Sequence, residues 1–244
     1  MTNSKNINIV LPCYNPTKSW ATNIVKSLKD IQVLLPDVIF HLILVNDSAS
    51  KGITDADIHY LEQRISHFQY IQYSPNRGKG YALRQGISQV EHDICIYTDV
   101  DFPYEAKSFA AIYRLLASKE ADIAVGIKGQ NYYKNVPAMR VKISKLLRFF
   151  IRFFLKMTIT DTQCGLKGFN QKGKAVFMKT TIDRYLFDLE FVYLADRKKS
   201  GVKMLPVVAQ LKEGVRFSSM NSRILLTEGI NFLKILGKTF LGRI

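Results

Sequence analysis

The sequence predicts an α/β fold with a mostly parallel central sheet, and three observations predict it. Short unbroken apolar runs recur at residues 7–12, 38–45, 68–73, 94–99 and 122–126. A strand covered on both faces reads as such a run rather than as an alternation. Segments of helical period separate the runs, as crossovers between parallel strands require. Pro12, Asp47, Asn76 and Asp99 stand at the ends of runs, and in parallel sheets ligands bind beyond the carboxyl ends of the strands.

Taken in order, Ile7-Asn8-Ile9-Val10-Leu11 is a strand stopped by Pro12. Pro16 and Thr17 open a helix to about residue 35, since proline is tolerated in a first turn. The strand over 38–45 closes in Asn46-Asp47-Ser48-Ala49-Ser50, short polar side chains that favour turns and caps. A helix over 54–66 and a strand over 68–73 follow. Asn76-Arg77-Gly78-Lys79-Gly80 is a glycine-containing loop that opens a helix carrying 82–90. Next come the run ending in Asp99, a helix over 105–119 and a strand over 122–126. Residues 126–137 read as a loop bearing Lys128, Tyr132, Tyr133 and Lys134, followed by a helix over 139–157. Asp161-Thr162-Gln163-Cys164-Gly165 leads into a strand over 166–170 and a helix over 185–199 that Gly201 caps. A strand over 202–208 precedes the last helix, over 222–241. The chain divides into a main domain, 1–220, and a C-terminal amphipathic helix, 221–244.

Its organising stretch is Ile94-Cys95-Ile96-Tyr97-Thr98-Asp99-Val100-Asp101. In an extended strand residues i and i+2 face the same side, which would bring Asp99 and Asp101 together at the strand mouth. Two like charges that close are costly unless a cation sits between them. A hard divalent cation with oxygen ligands, Mg²⁺ or Mn²⁺, carrying a phosphorylated substrate is the natural occupant.

The chain of 244 residues carries a net charge of +15, which implies an anionic partner: nucleic acid, an anionic membrane face or phosphorylated substrates. Cys13, Cys95 and Cys164 are odd in number and widely spaced, arguing for reduced thiols in a cytosolic protein. The polar start, Met1 to Asn8, does not read as a signal peptide. No uncharged apolar run is long enough to span a bilayer. His41, His59, His67 and His92 show no ligand spacing.

In the helix over 139–157, Lys145, Arg148, Arg152 and Lys156 step by three and four along one face, beside Leu146, Leu147, Phe149, Phe150, Phe153 and Phe154. A basic stripe beside a phenylalanine-rich face fits an interfacial membrane helix. It also fits a helix packed on the domain flank with a solvated basic edge. The last helix repeats the theme with Ile224, Leu225, Phe232, Leu233, Leu236 and Phe240 beside Arg223, Lys234, Lys238 and Arg243. Asp188 and Glu190, two apart on a helix, diverge by about 200°, so one of them at most faces a site.

These segments together resemble glycosyltransferase family 2, and within it the polyprenyl-phosphate sugar synthases of the dolichyl-phosphate glucose and mannose type. The resemblance rests on Ile9-Val10-Leu11-Pro12-Cys13-Tyr14-Asn15, Val45-Asn46-Asp47-Ser48, the loop and helix from Asn76 to Gly86, Tyr97-Thr98-Asp99-Val100-Asp101, the stretch from Asp161 to Phe169, and Phe187-Asp188-Leu189-Glu190. It covers roughly residues 5–215 and looks most like the glucose-transferring branch. It implies a GT-A fold, a nucleotide-sugar-binding α/β sandwich. It also implies that Pro12, Tyr14, Asn15 and Asp47 hold nucleobase and ribose, with Lys79 near ribose and diphosphate. Asp99 would contact the ribose side and the metal, and Asp101 the metal. Gln163 and Cys164-Gly165 would line the sugar pocket, Asp188 would sit beside the acceptor, and Arg140 and Arg216 would bind phosphate. The chain departs from the pattern at Asn46, where a second aspartate is frequent, at Lys128, where an arginine is usual, and at Pro103, where the mannose branch can offer a glutamine.

The implied reaction is inverting transfer of a hexose from a nucleoside-diphosphate sugar, UDP-glucose first and GDP-mannose second, to a polyprenyl phosphate at the cytoplasmic face of an anionic membrane. Metal and Lys79 would offset charge growing on the leaving diphosphate. A phosphate monoester has a second pKa of about 6 and needs positioning more than a base. A sugar-hydroxyl acceptor, the alternative in cell-surface polysaccharide synthesis, would need one, and Asp188 would then serve. Cys164 reads as a small packing residue. A non-catalytic nucleic-acid binder, suggested by charge alone, would interleave aromatics with basic residues on a sheet face. Here the positive charge lies on helices and the strand ends carry acids, so nucleic acid is not an expected partner.

Overall fold

The computed structural model describes residues 5–49, 51–129, 136, 138–215 and 222–240. Among them, β1 (Asn6–Cys13), β2 (Ile39–Asp47), β3 (Phe68–Tyr73), β4 (Ile94–Tyr97), β5 (Ile123–Lys128), β6 (Lys167–Phe169) and β7 (Met204–Ala209) build a sheet in the order β3-β2-β1-β4-β6-β5-β7. The pairings are parallel except at β6, which runs antiparallel to both β4 and β5. The helices are α1 (Trp20–Leu34), α2 (Asp55–Glu62), α3 (Lys79–Ser88), α4 (Ala106–Ala117), α5 (Ala138–Phe150), α6 (Gln171–Phe177), α7 (Phe187–Asp196) and α8 (Ser222–Phe240).

Strand alternation divides the core into two layers. Ile7, Ile9 and Leu11 of β1 pack with α1, α2 and α4, while Val10 between them packs with α3, α6 and α7. Ile235 of α8 is buried in the second layer. The β1 strand runs through Pro12, which pairs with Val45, and stops one residue later than expected. The β4 strand stops at Tyr97, so Asp99 and Asp101 do not extend it. They lie in a turn closed by a hydrogen bond from the Phe102 amide to the Asp99 carbonyl at 2.9 Å. Helix α6 was not foreseen. Asn170 caps it by accepting from the amides of Lys172 and Gly173.

The helix expected over 139–157 changes character halfway. Residues Ile151–Leu155 form a widened π-helical turn that buries Ile151 and Leu155, and Lys156 then adopts the left-handed conformation, φ 51°. No helix of the described residues is long and apolar enough to cross a membrane. At the amino-terminal edge of the sheet His41 lies between His67 and His92, with ring centroids 4.3 and 4.1 Å away. Burial lowers the His41 pKa, the charges of His92 and His67 lower it further, and Glu91 opposes them.

Candidate active site

Strand order reverses between β1 and β4, and the polar residues gather beyond the carboxyl ends of β1, β2 and β4, where such a switch opens a crevice. Tyr14 is exposed, and Asn15, at φ 45°, accepts from the Lys51 amide. Pro12 lies half-buried in β1.

Asp47 is tied to the loop that follows β3. It is buried, and its carboxylate accepts from the amides of Arg77 and Gly78 and from the side chain of Asn76, each at 2.7 Å. It therefore shapes the 76–78 loop. The loop needs glycine at 78: φ is +110°, and a Cβ there would stand 2.6 Å from the Asp183 carbonyl. That carbonyl of Asp183 takes the amides of Gly80 and Tyr81 at the start of α3. The group offered to an anion is thus the Lys79 ammonium rather than the helix end.

Lys79 Nζ lies 2.5 Å from Asp99 Oδ1. Burial works to lower the Lys79 pKa, but Asp99, Asp188 and Asp101 overrule it and hold the ammonium above its ordinary value. The Asp101 carboxyl is raised, first by burial and then by the charge of Asp99. The two carboxylates thus come together, through a turn rather than a strand. Asn23 donates to the Asp101 carbonyl at 2.5 Å and ties the turn to α1. No group of three or more His, Cys, Asp and Glu side chains able to hold a metal occurs among the described residues. Two carboxylates fit a hard cation whose remaining shell comes from diphosphate and water.

Gly165 closes the site from the other side. A Cβ there would collide with Asp99 Oδ2, and the Gly165 amide donates to Tyr104 Oη at 2.8 Å. Cys164 is fully buried, its thiol pKa raised by burial, as suits a packing residue. Gln163 is half-buried and bonds Thr162 Oγ1 at 3.3 Å.

Asp188 is held from two sides. It is 4% exposed and accepts from Tyr97 Oη and Lys167 Nζ, both at 2.7 Å. Its charge also acts on Lys79, and Arg184 donates to Asn76. Glu190 diverges from it as expected but is buried too, accepting from the amides of Thr181 and Ile182. The Arg140 side chain and all of Arg216 lie outside the described residues, although residue 140 falls within α5.

Lys167, given no role above, is fully buried, and its ammonium also donates to the Cys164 carbonyl at 2.5 Å. A lysine inside the apolar run Leu166-Lys167-Gly168-Phe169 was the available signal. Asp161 is a second such residue, 7% exposed. One oxygen of that carboxylate accepts from the Lys128 amide at 2.6 Å and lies 2.6 Å from Arg148 Nη2; the other lies 3.5 Å from Lys128 Nζ. Arg148 therefore turns inward, away from the basic stripe assigned to it.

The description of Glycosyl transferase family 2 matches residues 8–175, more than half of the chain. This chain belongs to glycosyltransferase family 2. The transferase is 23% identical over 236 residues to a dolichyl-phosphate beta-glucosyltransferase of Dictyostelium discoideum, covering 92% of this chain and 72% of that one. It is 26% identical over 223 residues to the Saccharomyces cerevisiae protein of the same name, covering 82% and 66%. Among solved structures it is similar to glucosyl-3-phosphoglycerate synthase from Mycobacterium tuberculosis in complex with uridine diphosphate, with TM-score 0.62, 14% identity, and 90% and 74% of the two chains covered. Mannosyl-3-phosphoglycerate synthase from Rubrobacter xylanophilus gives TM-score 0.61, 13% identity, and 98% and 75%. The fold of the transferase is therefore GT-A. Mn²⁺ and Mg²⁺ accompany uridine diphosphate in other structures of the Mycobacterium enzyme.

Proposed function

We propose that this transferase moves a hexose, with inversion, from a nucleoside-diphosphate sugar to a polyprenyl phosphate at an anionic membrane face. UDP-glucose is the first donor and GDP-mannose the second. The observation that carries the donor side is the Lys79 ammonium on Asp99 beside Asp101, beyond the strand ends. Asp99 and Asp101 would hold Mg²⁺ or Mn²⁺, which would supply charge stabilisation on the diphosphate. Lys79 adds a second positive charge toward the same leaving group, in a site already ordered by Asp47 and Gly165. Pro12, Tyr14 and Asn15 are assigned to the nucleoside, Gln163 to the sugar, and Arg140 and Arg216 to phosphate.

The placement of Asp188 favours a phosphate acceptor. A sugar hydroxyl needs a base, and Asp188 is buried with its charge met by Lys167. A lipid phosphate, with a second pKa of about 6, is mostly dianionic at pH 7 and needs only orientation. The names of the relatives point the same way. So does the surface of α5 and its π-helical turn, where Leu146, Phe149 and Phe153 are more than half exposed among exposed Lys145, Arg152 and Lys156. On α8, Leu226 and Leu233 extend the apolar surface, and Phe150 and Phe232 join the two helices at 6.3 Å. A net charge of +15 suits the anionic cytoplasmic leaflet, which attracts each nearby Lys or Arg by about 1 kcal/mol.

The test is a thermal-shift panel of UDP- and GDP-sugars, with and without Mn²⁺, on the wild type and Asp101→Ala. A metal-dependent shift from one nucleotide, absent in the variant, bears the donor assignment out. Sugar transfer to polyprenyl phosphate in vesicles then tests the acceptor. No shift from any nucleotide, with or without anionic vesicles, overturns the reading.

A further inference from the structure

Asp161 is held between two cations drawn from different parts of the fold. Lys128 ends β5, Arg148 belongs to α5, and the side chains of Lys128 and Asp161 are both less than a tenth exposed. Two cations on one carboxylate leave one surplus positive charge. Its position is fixed by neighbours already in the site. A Cβ on Gly126 of β5 would meet Cys164 Sγ at 2.8 Å, and Gly165, next in the chain, touches Asp99. The surplus charge therefore lies on the Cys164–Gly165 flank of the metal and diphosphate position. Arg148 also shares its helix with Phe149, whose ring faces outward and is 61% exposed. Arg148 and Phe149 are thus set about 100° apart on one helix, one on Asp161 and the other exposed to solvent.

We propose that Arg148 is a positioning residue that transmits seating of α5 on a lipid surface, through Asp161, to Lys128, and so sets the cationic seat of the acceptor phosphate. The inference rests on the polyprenyl-phosphate reading above and deepens it. Arg148 touches neither donor nor acceptor. It holds Asp161 with its guanidinium, and Asp161 holds both the amide and the ammonium of Lys128. Binding of the exposed phenylalanines fixes the helix, and the helix carries Arg148 with it. Burial lowers the Lys128 pKa, Asp161 opposes it, and Arg148 lowers it further.

The experiment compares wild type, Arg148→Ala, Arg148→Lys and the double variant Phe149→Ser/Phe153→Ser. The acceptor is a water-soluble short-chain prenyl phosphate, with and without acceptor-free vesicles of phosphatidylcholine and phosphatidylserine. Vesicles should stimulate the wild type by lowering the acceptor KM. Arg148→Ala should raise the acceptor KM roughly tenfold to a hundredfold, as displaced positioning groups do, with donor KM unchanged and no response to vesicles. Arg148→Lys should recover part of the response. The phenylalanine double variant, with Arg148 intact, should lose it. Without Arg148 the Lys128 pKa should rise, moving the alkaline limb of the acceptor KM upward. Wild-type stimulation that persists in Arg148→Ala, or donor and acceptor KM rising together, overturns the inference. Should Arg148→Ala melt early, the lysine and phenylalanine variants decide it on the same readouts. A wild type inert toward every prenyl phosphate fails the acceptor reading, and the inference falls with it.

Discussion

Lys167 and Asp188 form a buried ion pair with Tyr97 as a third partner. Breaking such a pair from one side leaves an uncompensated charge, so Lys167→Met is expected to cost roughly 3–5 kcal/mol in urea unfolding. Replacing Lys79, whose charge is expected to act on the leaving diphosphate, should leave the fold intact. Lys79→Ala is expected to lower kcat by roughly 10²–10³ with an unchanged melting temperature. At the site, the sequence singled out Asp99, Asp101 and Lys79, and the structure sets Lys79 on Asp99. What could not be read was which carboxylates already have partners. Asp47 and Asp188 look as available as Asp99 in a linear sequence. Asp47 is occupied by backbone amides of a loop, and Asp188 by a lysine of a different strand.

At the scale of elements, the strands were legible because both faces of the sheet are covered, which makes their runs continuously apolar. The β1 and β2 runs emerge within two residues of their expected ends. Two things escaped. Helix α6 has seven residues and contains Gly173, too little sequence for a 3.6-residue period to declare itself. The end of β4 escaped because Thr98-Asp99 continues a strand-like pattern, while a turn closed on the Asp99 carbonyl supersedes it. Helix α2, expected over 54–66, runs Asp55–Glu62 with Thr54 as its cap. Thr54 and Asp57 form a reciprocal cap there, with the Thr54 hydroxyl accepting from the Asp57 amide at 3.2 Å. Thr54→Ala should cost about 1 kcal/mol in thermal or urea unfolding, with activity unchanged.

For the whole molecule, the three converging histidines make stability depend on pH. The unfolded chain takes a proton on His41 near the ordinary value of about 6.5, and the folded chain does so lower. More protons are bound in the unfolded state across that interval, so stability rises with pH there. It is fully present above about pH 6.5 and is lost as pH falls toward the lowered value. A His92→Gln variant, with one like charge removed beside His41, should show a shallower loss of melting temperature between neutral and mildly acidic pH. An unchanged slope would assign the acid sensitivity elsewhere.

The antiparallel insertion of β6 has a kinetic consequence. The parallel pairs β1–β2 and β2–β3 join strands that follow one another along the chain, each linked by a helix. The three-residue β6 instead pairs Cys95 with Phe169, and Ile123 with Phe169, across long intervening segments. Closing long loops is slow because their entropy is lost before the distant contact forms. During refolding, amides of β1 and β2 should therefore gain protection from hydrogen exchange before those of β6. Gly165, two residues before β6, meets Asp99 only when β6 docks, so the transferase should acquire its architecture first and its catalytic competence last.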